Sequence, residues 1–191
     1  MTSRRRPFIE RKKRFFLGCE GESERAYGSL IQRISEDKSL RIFLDMPILN
    51  GGNPRSIIEQ AIKQAEKHSS KRGAFFGKAV LLDTDTLIES PKGTRQKLEM
   101  LAQSHNMLLI WQDPCHEAFL LRHLVGGESL RPGNSRIAIN TLRRRWPAYE
   151  RPMHVASLYN RIGYTDLLRA TSVEPILKDF LTLLGLYSVQ V

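Results

Sequence analysis

Near the middle of the chain the sequence reads Lys78-Ala79-Val80-Leu81-Leu82-Asp83-Thr84-Asp85, an apolar run that ends in two carboxylates one residue apart. A short and continuously apolar run is typical of a strand that is buried on both faces of a sheet. Ligands bind at the carboxyl ends of parallel strands, and Mg²⁺ is commonly held in proteins by one or two carboxylates. Asp83 and Asp85 are therefore candidate metal ligands, although an isolated Asp-x-Asp pair is more often a solvated turn.

The segments before this run alternate between strand and helix patterns. Residues 15–19 are apolar and predict a first, central strand, and residues 41–49 predict a second strand nearer the edge of the sheet. Between them, the apolar positions of residues 23–37 recur at helical spacing. Asn53 followed by Pro54 is a typical helix start, because a capping side chain precedes a proline at the first helical position.

The alternation continues after Asp85. Residues 91–104 predict a third helix and residues 106–111 a fourth strand, which gives the order β-α-β-α-β-α-β. Parallel strands need crossover connections, and helices are the usual ones. The sequence therefore predicts an α/β fold with a mainly parallel four-stranded sheet flanked by helices.

The rest of the chain predicts a helical extension of the same domain. Asp113-Pro114 predicts the start of a helix, residues 126–152 lack periodicity and predict a long loop, and two C-terminal segments return to helical spacing. No linker separates two cores. The predicted organisation is a basic arm at residues 1–14, an α/β core at residues 15–125, and an Arg-rich loop with C-terminal helices at residues 126–191.

Composition and charge favour a folded protein with a polyanionic partner. The chain has 191 residues, of which 41% are hydrophobic and 26% are charged, as in ordinary globular domains. Thirty Lys and Arg against 20 Asp and Glu give a formal charge of +10, which favours nucleic acid as a partner. The positive charge forms an N-terminal cluster and a second cluster: Arg4, Arg5, Arg6, Arg11, Lys12, Lys13 and Arg14, then Arg122, Arg131, Arg136, Arg143, Arg144, Arg145 and Arg151.

Cysteine usage and hydropathy predict a cytoplasmic protein. Cys19 and Cys115 are far apart and lack the close pairing of zinc or redox motifs, so a disulfide scaffold is not expected. The arginines before Phe8 resemble a twin-arginine export signal, but no apolar segment follows them. No window approaches the roughly 18 apolar residues of a membrane span.

Acidic residues follow three of the predicted strands. Glu20 follows the first strand, Asp83 and Asp85 the third, and Asp113 and Glu117 the fourth. Each of these acids alone is explained as a helix cap or first-turn residue. Because parallel strands end at one edge, the acids are expected to converge, and converging carboxylates need protons or a cation. Mg²⁺ or Mn²⁺ is the simplest solution for a basic protein that meets phosphates.

Three stretches carry a resemblance to a known family: Cys19-Glu20-Gly21-Glu22-Ser23-Glu24 with Tyr27, then Leu82-Asp83-Thr84-Asp85, then Asp113-Pro114-Cys115-His116-Glu117 leading into Leu120, Leu121 and His123. A strand, a Glu-Gly turn and a helix, with an Asp-x-Asp pair ending a later strand, resemble the Toprim superfamily. Within it, the chain from about Phe15 resembles the RloB-like proteins of bacterial defence loci. The third stretch departs from the usual Asn-Pro-Cys-aromatic-Glu, because Asp113 and His116 occupy its first and fourth positions.

The resemblance implies a Toprim-like (Rossmann-like) fold and a metal-dependent nuclease that cleaves RNA or DNA, in phage defence by abortive infection. It implies that Asp83 and Asp85 bind Mg²⁺ or Mn²⁺, and that Glu20 is a further ligand or a general acid/base. A metal there can polarise the scissile phosphate and activate water, while an arginine neutralises the developing charge. The resemblance leaves open whether an ATPase partner from the same locus controls the activity.

Four further residues are candidates for supporting roles in this site. Glu24 lies one helical turn beyond Glu20 and is a candidate catalytic residue. Glu117 is another candidate catalytic residue. His116 and His123 are two helical turns apart and are candidate supporting residues, although a histidine at such positions is more often satisfied by its surroundings.

The second basic cluster supplies the expected nucleic-acid contacts. Four of its arginines are expected to bind nucleic acid: Arg122, Arg143, Arg144 and Arg145. Trp146 follows them and is a candidate for stacking on bases, whereas Trp111 ends an apolar run and is expected in the core.

Two alternatives to a nuclease remain open from the sequence. Basic clusters alone are explained by a nucleic-acid-binding subunit with a Toprim-like fold that does not cleave. Residues 80–86 also resemble the Asp-x-Asp-x-Thr motif of haloacid-dehalogenase-like phosphatases, in which the first aspartate is a nucleophile. That motif normally lies on the first strand, whereas two predicted strands precede it here.

Overall fold

The computed structural model describes residues 11–88 and 90–188, which contain four strands and eight α-helices. The strands are β1 (Lys13–Gly18), β2 (Ile42–Asp45), β3 (Gly77–Asp83) and β4 (Leu108–Gln112). The helices are α1 (Glu22–Asp37), α2 (Pro54–Arg72), α3 (Thr94–Ser104), α4 (His116–Leu121), α5 (Ser135–Arg145), α6 (Val155–Arg161), α7 (Tyr164–Thr171) and α8 (Pro175–Leu184). Most of the expected basic arm, residues 1–10, lies outside the described residues, and Lys13 and Arg14 belong to β1 rather than to an arm.

The four strands form one sheet in the order β2-β1-β3-β4, and every neighbouring pair is parallel. This arrangement confirms the predicted α/β class, with a parallel four-stranded sheet flanked by helices and a helical C-terminal extension. It also confirms β2 as an edge strand. The topology is consistent with a Toprim-like or Rossmann-like fold.

Alternating residues of the central strands fill two hydrophobic layers, because successive side chains of a strand point to opposite faces. On one face, Leu17 and Leu81 belong to a cluster that also contains buried residues of α1, α7 and α8. On the other face, Phe16 and Leu82 belong to a cluster with buried residues of α2 and α3. Both central strands are therefore buried on both faces, which explains their continuously apolar sequences.

The direction of the chain across the sheet reverses between β1 and β3. Helix α1 carries the chain from β1 outward to β2, and α2 then carries it back past β1 to β3 on the opposite face. Open α/β sheets bind ligands outside the carboxyl ends of their strands at such a reversal. The expected ligand site is therefore the crevice between the carboxyl ends of β1 and β3.

Two sequence expectations about helices are wrong. The segment 126–152 is not a continuous loop, because it contains α5, whose first turn is capped by Asn134 Oδ1 accepting from the Ile137 amide at 2.9 Å. The preceding helix, α4, begins at His116 with Cys115 as its N-cap, so Asp113 does not start it.

Both cysteines are buried, and the helices were compared with the length and apolar character of a membrane span. Cys19 and Cys115 are free thiols and both are buried. Burial is the main reason why the pKa of each thiol is raised, which makes both poor nucleophiles. Among the described residues, no helix combines the length and the apolar character needed to cross a bilayer.

Candidate active site at the carboxyl edge of the sheet

The first side of the site is the turn that follows β1. The Cys19 amide donates to the Pro47 carbonyl at 3.0 Å, and the chain then leaves the sheet at Glu20. The Gly21 amide donates to Glu24 Oε2 at 2.9 Å, which closes the turn at the start of α1. Glu20 is half-buried, whereas the Glu24 side chain is buried. The Glu-Gly turn thus brings two carboxylates to the crevice.

The second side is the end of β3, where Asp83 is the last residue of the strand. Its Oδ1 atom is buried and has no hydrogen-bond partner among the described residues. Burial, together with the nearby carboxylates of Glu24 and Glu20, raises the pKa of Asp83 to about 9. An acidic oxygen that is buried without a donor normally costs stability, and such groups cluster at functional sites.

Asp85 lies just beyond Asp83, in a 3-10 turn formed by Asp85–Leu87. Its Oδ2 atom accepts a hydrogen bond from Ser135 Oγ at 2.6 Å, and its amide donates to the Pro114 carbonyl at 2.9 Å. Ser135 is the first residue of α5. The Asp-x-Asp pair is therefore attached directly to the start of the basic helix.

The third side is formed by α4 and by the segment after α5. The Glu117 side chain is fully buried, and its Oε1 atom accepts from Tyr149 Oη at 2.9 Å. The same oxygen lies 3.2 Å from Arg151 Nε, while Glu117 Oε2 is buried and has no partner among the described residues. Glu117 thus has an ionic partner, which Asp83 lacks.

A cleft of ≈ 430 Å³ lies between these three sides. The residues that line it are Glu20, Gly21, Glu22, Ser23, Glu24, Gly51, Asp83, Arg151 and Pro152. Burial raises the pKa of Glu20, and the carboxylates of Glu24 and Asp85 add to the effect. The structure therefore brings Glu20, Glu24 and Asp83 together in one acidic cleft, while Asp85 and Glu117 lie beside it.

The donor set of this cleft suits a hydrated ion better than a protein cage. The described residues contain no group of three His, Cys, Asp or Glu side chains arranged to hold a metal ion. Mg²⁺ usually keeps several waters and binds through one or two carboxylates plus substrate phosphates. The unpartnered Asp83 Oδ1, with Glu20 on the same cleft, fits that requirement.

The two candidate histidines lie behind the cleft. The Gln112 amide contacts His116 Nδ1 at 2.7 Å, and the same nitrogen is 3.6 Å from Glu24 Oε1. His123 Nδ1 donates to the Phe119 carbonyl at 3.0 Å, so the neutral ring accepts from the Tyr27 hydroxyl at Nε2, at 2.9 Å. Burial lowers the pKa of both rings, that of His123 to about 4. Both histidines are buried and lie outside the lining of the cleft.

One of the four arginines expected to bind nucleic acid is misassigned. Arg122 is 1% exposed, its Nη1 atom lies 2.9 Å from Glu174 Oε1, and it donates to the Asp113 carbonyl. A guanidinium enclosed in this way cannot reach a phosphate, so the expectation for Arg122 is wrong. The remaining three, Arg143, Arg144 and Arg145, are exposed in the last turn of α5.

The two tryptophans differ in whether they agree with the sequence-based expectations, and Asp113 has a structural contact. Trp146 is 6% exposed and packs against Tyr149, so the expectation that it stacks on bases is wrong. Trp111 is buried, as expected, and its Nε1 atom donates to Glu99 at 2.8 Å. Asp113 is exposed and accepts from Thr84 Oγ1 at 2.8 Å, which ties the loop after β4 to the loop after β3.

Three residues of the site were missed by the sequence argument. Tyr149, Arg151 and Ser135 lie in a segment without clear periodicity, so no strand or helix end marked them. Arg151 belonged to the second basic cluster, but its charge alone did not distinguish it from its neighbours. The available signal was Glu117 itself, because a buried acid requires polar or basic partners elsewhere in the chain.

The chain matches no protein-family model, no curated protein and no solved structure. Function is therefore inferred from the residues and their geometry.

Proposed function

We propose that this chain is a metal-dependent nuclease that hydrolyses phosphodiester bonds of RNA or DNA. The observation that carries the proposal is the Asp83 carboxyl, which is buried at the reversal point of the sheet with one oxygen unpartnered and a pKa raised to about 9. A bound divalent cation would replace the proton and supply the missing partner. Neither core packing nor strand pairing requires an aspartate in this state.

The proposed ligands are Asp83, Asp85 and Glu20, and the proposed ion is Mg²⁺ or Mn²⁺. When bound, the ion supplies Lewis-acid activation of the phosphate and of water. Burial raises the pKa of Glu20 above its ordinary value, which favours a role for its carboxyl in holding and releasing a proton in the cleft. Glu24 keeps the Gly21 turn closed through its Oε2 atom, so it shapes the site rather than reacting.

The charge distribution supports a nucleic-acid substrate. The chain carries a formal charge of +10, and the last turn of α5 exposes Arg143, Arg144 and Arg145. Helix α5 begins at the Ser135–Asp85 hydrogen bond of 2.6 Å, so the basic helix starts beside the proposed metal ligands. Phosphate contacts of this kind bind nucleic acid without sequence specificity.

The proposal extends to family, biological role and compartment. The Glu-Gly turn after β1 and the Asp-x-Asp pair after β3 support membership of the Toprim superfamily, with RloB-like proteins as the group proposed. On that basis the activity belongs to phage defence in the cytoplasm, where free thiols such as Cys19 and Cys115 persist. An ATPase partner from the same locus is part of this proposal.

The test is cleavage of labelled RNA and DNA oligonucleotides by the purified protein with EDTA, Mg²⁺ or Mn²⁺. Cleavage is expected only with a divalent ion, and Asp83→Ala is expected to abolish it while leaving the circular dichroism spectrum unchanged. Asp179→Ala, which removes an exposed carboxylate on α8, is the matched control and keeps full activity. Unchanged cleavage by Asp83→Ala would overturn the mechanism.

A second candidate function is nucleic-acid binding without cleavage. The exposed arginines of α5 favour it, and so does the lack of a three-residue metal group among the described residues. This alternative predicts strong, salt-sensitive binding with no cleavage of any substrate under any metal condition. It leaves the buried acids unexplained, because carboxylates without a cation repel phosphate.

A further inference from the structure

The acidic cleft has one basic side chain in its wall. Of the described residues that line it, four are acidic, and Arg151 is the one that carries positive charge. A phosphodiester that approaches Asp83 and Glu20 brings another negative charge to the same place. A single metal ion offsets only part of that charge, so a cation of the protein is needed beside it.

Arg151 contacts a buried carboxylate through its Nε atom. Its Nε atom lies 3.2 Å from Glu117 Oε1, and Tyr149 donates to the same oxygen. Within the part of the chain that the structure describes, Arg151 Nη1 and Nη2 donate no hydrogen bond, and half of the side chain, 50%, is exposed. The guanidinium therefore contacts Glu117 through Nε, while the side chain lines the cleft and its two terminal nitrogens remain available.

Stability does not account for this arrangement. Glu117 is 0% exposed, and removing an ionised carboxylate from water is costly. An ion pair with a half-exposed arginine returns little of that cost, because solvent screens it. Glu117 Oε2 also stays unpartnered among the described residues. A buried acid that orients a partly exposed cation is instead the kind of supporting contact that holds a binding residue in place.

We propose that Arg151 binds a phosphate of the nucleic-acid substrate in the cleft through Nη1 and Nη2, and that Glu117 and Tyr149 position it. This inference rests on the proposed function. Two parallel donors suit two phosphate oxygens, which is why arginine is favoured at such sites. Glu117, expected from the sequence to be catalytic, is thereby assigned a positioning role, and Arg151 becomes the residue that contacts the substrate.

The experiment compares cleavage and binding in matched variants. Arg151→Ala is expected to lower kcat/KM by about 10²–10³-fold, the range seen when a group that stabilises developing charge is removed. Arg151→Lys is expected to recover only part of this loss, because an ammonium lacks the planar pair of donors. Arg41→Ala, which removes an exposed arginine just before β2 at the opposite edge of the sheet, is the control and keeps full activity.

Chemical rescue tests the positioning role of Glu117. Added guanidinium ion is expected to restore cleavage to Arg151→Ala, because Glu117 can hold the free ion where the side chain was. The double variant Arg151→Ala/Glu117→Gln is expected to show no rescue. A purely structural role for Glu117 predicts equal rescue in both proteins, and that result would overturn the assignment of Glu117.

The outcomes separate this inference from the proposed function. If the wild type cleaves and Arg151→Ala cleaves as well as Arg41→Ala, the nuclease stands and the role of Arg151 is overturned. If the wild type cleaves nothing, the nuclease fails, and Arg151 is judged by fluorescence anisotropy with a labelled oligonucleotide in Ca²⁺. An affinity loss of about tenfold in Arg151→Ala relative to Arg41→Ala then supports phosphate binding, and equal affinity overturns it.

Discussion

Asp45 and Asp83 both end a parallel strand, yet their surroundings differ in every respect that matters to a carboxylate. Asp45, at the end of β2, lies 3.3 Å from Arg14 Nη2 and 2.9 Å from His68 Nδ1. Asp83, at the end of β3, has a buried oxygen without a partner and a pKa raised to about 9. The first aspartate ties β1, β2 and α2 together, whereas the second has no ion-pair partner within 4.0 Å among the described residues.

The difference shows how to separate structural from functional acids in one sheet. Position at a strand end does not distinguish them, because both residues have it. The distinction is whether the folded chain supplies a donor or cation for the charge. Where it does not, the acid is held by a proton or by a partner from outside, and it is a candidate for a binding site.

The largest effect that separates the two aspartates is expected in catalysis. Asp83→Asn keeps the shape of the side chain and removes its charge, and it is expected to lower metal-dependent cleavage by about a thousandfold or more. Asp45→Asn is expected to leave the rate per folded molecule unchanged. Single-turnover cleavage below the melting temperature of both variants measures this, and equal losses in the two variants would remove the distinction.

The next effect is on stability and has the opposite order. Asp45→Asn takes the charged partner from Arg14 and His68, and it is expected to lower the free energy of unfolding by about 1–3 kcal/mol. Asp83→Asn is expected to raise the melting temperature of the metal-free protein, because it removes a buried acid without a partner. Urea denaturation in EDTA measures both changes, and destabilisation by Asp83→Asn would contradict the account of its surroundings.

A smaller effect is expected from the metal ion itself. At ten times its dissociation constant, an ion that binds only the folded state stabilises it by about 1.4 kcal/mol. Mn²⁺ is therefore expected to raise the melting temperature of the wild type and of Asp45→Asn, but not that of Asp83→Asn. A rise of equal size in all three proteins would show that the ion binds elsewhere.

The last effect, taken per pH unit, is the change of stability with pH in the metal-free protein. The pKa of Asp83 is raised in the folded state, so over the interval from about 4 to about 9 the unfolded chain loses its proton first. The folded state therefore holds more protons, and stability falls as pH rises, by at most about 1.4 kcal/mol per pH unit for one proton. The melting temperature of Asp83→Asn is expected to change less between pH 5 and pH 8.5 than that of the wild type, as thermal scans in EDTA would reveal.

The sheet and the acids at its edge were predictable because their signals are local. A continuously apolar strand that ends in Asp83 needs no distant partner to be recognised, and the same holds for Glu20 after β1. The reversal of the chain between these strands then follows from the prediction that β1 is central and β2 lies nearer the edge. Local patterns therefore predicted the fold and the acidic half of the candidate site.

The remaining features depend on partners that are distant in sequence. Helix α5 buries only Ala138 and Leu142 of its eleven residues. Two apolar positions do not establish a helical period, so the sequence of α5 resembles that of a charged loop. Arg122 is buried beside Glu174, which directly precedes α8 late in the chain. Arg151, in the loop after α5, contacts Glu117 of α4. Pairings of this kind are set by tertiary packing and leave no periodic trace.

The cleft combines residues that the ribosome produces at very different times. Its acidic wall, from Glu20 to Asp83, is complete once β3 has been synthesised, whereas Arg151 follows only after β4, α4 and α5. Until then a growing chain presents carboxylates with no cation of its own beside them, and phosphates are repelled. The cleft therefore obtains the basic residue of its lining only when most of the domain has been synthesised.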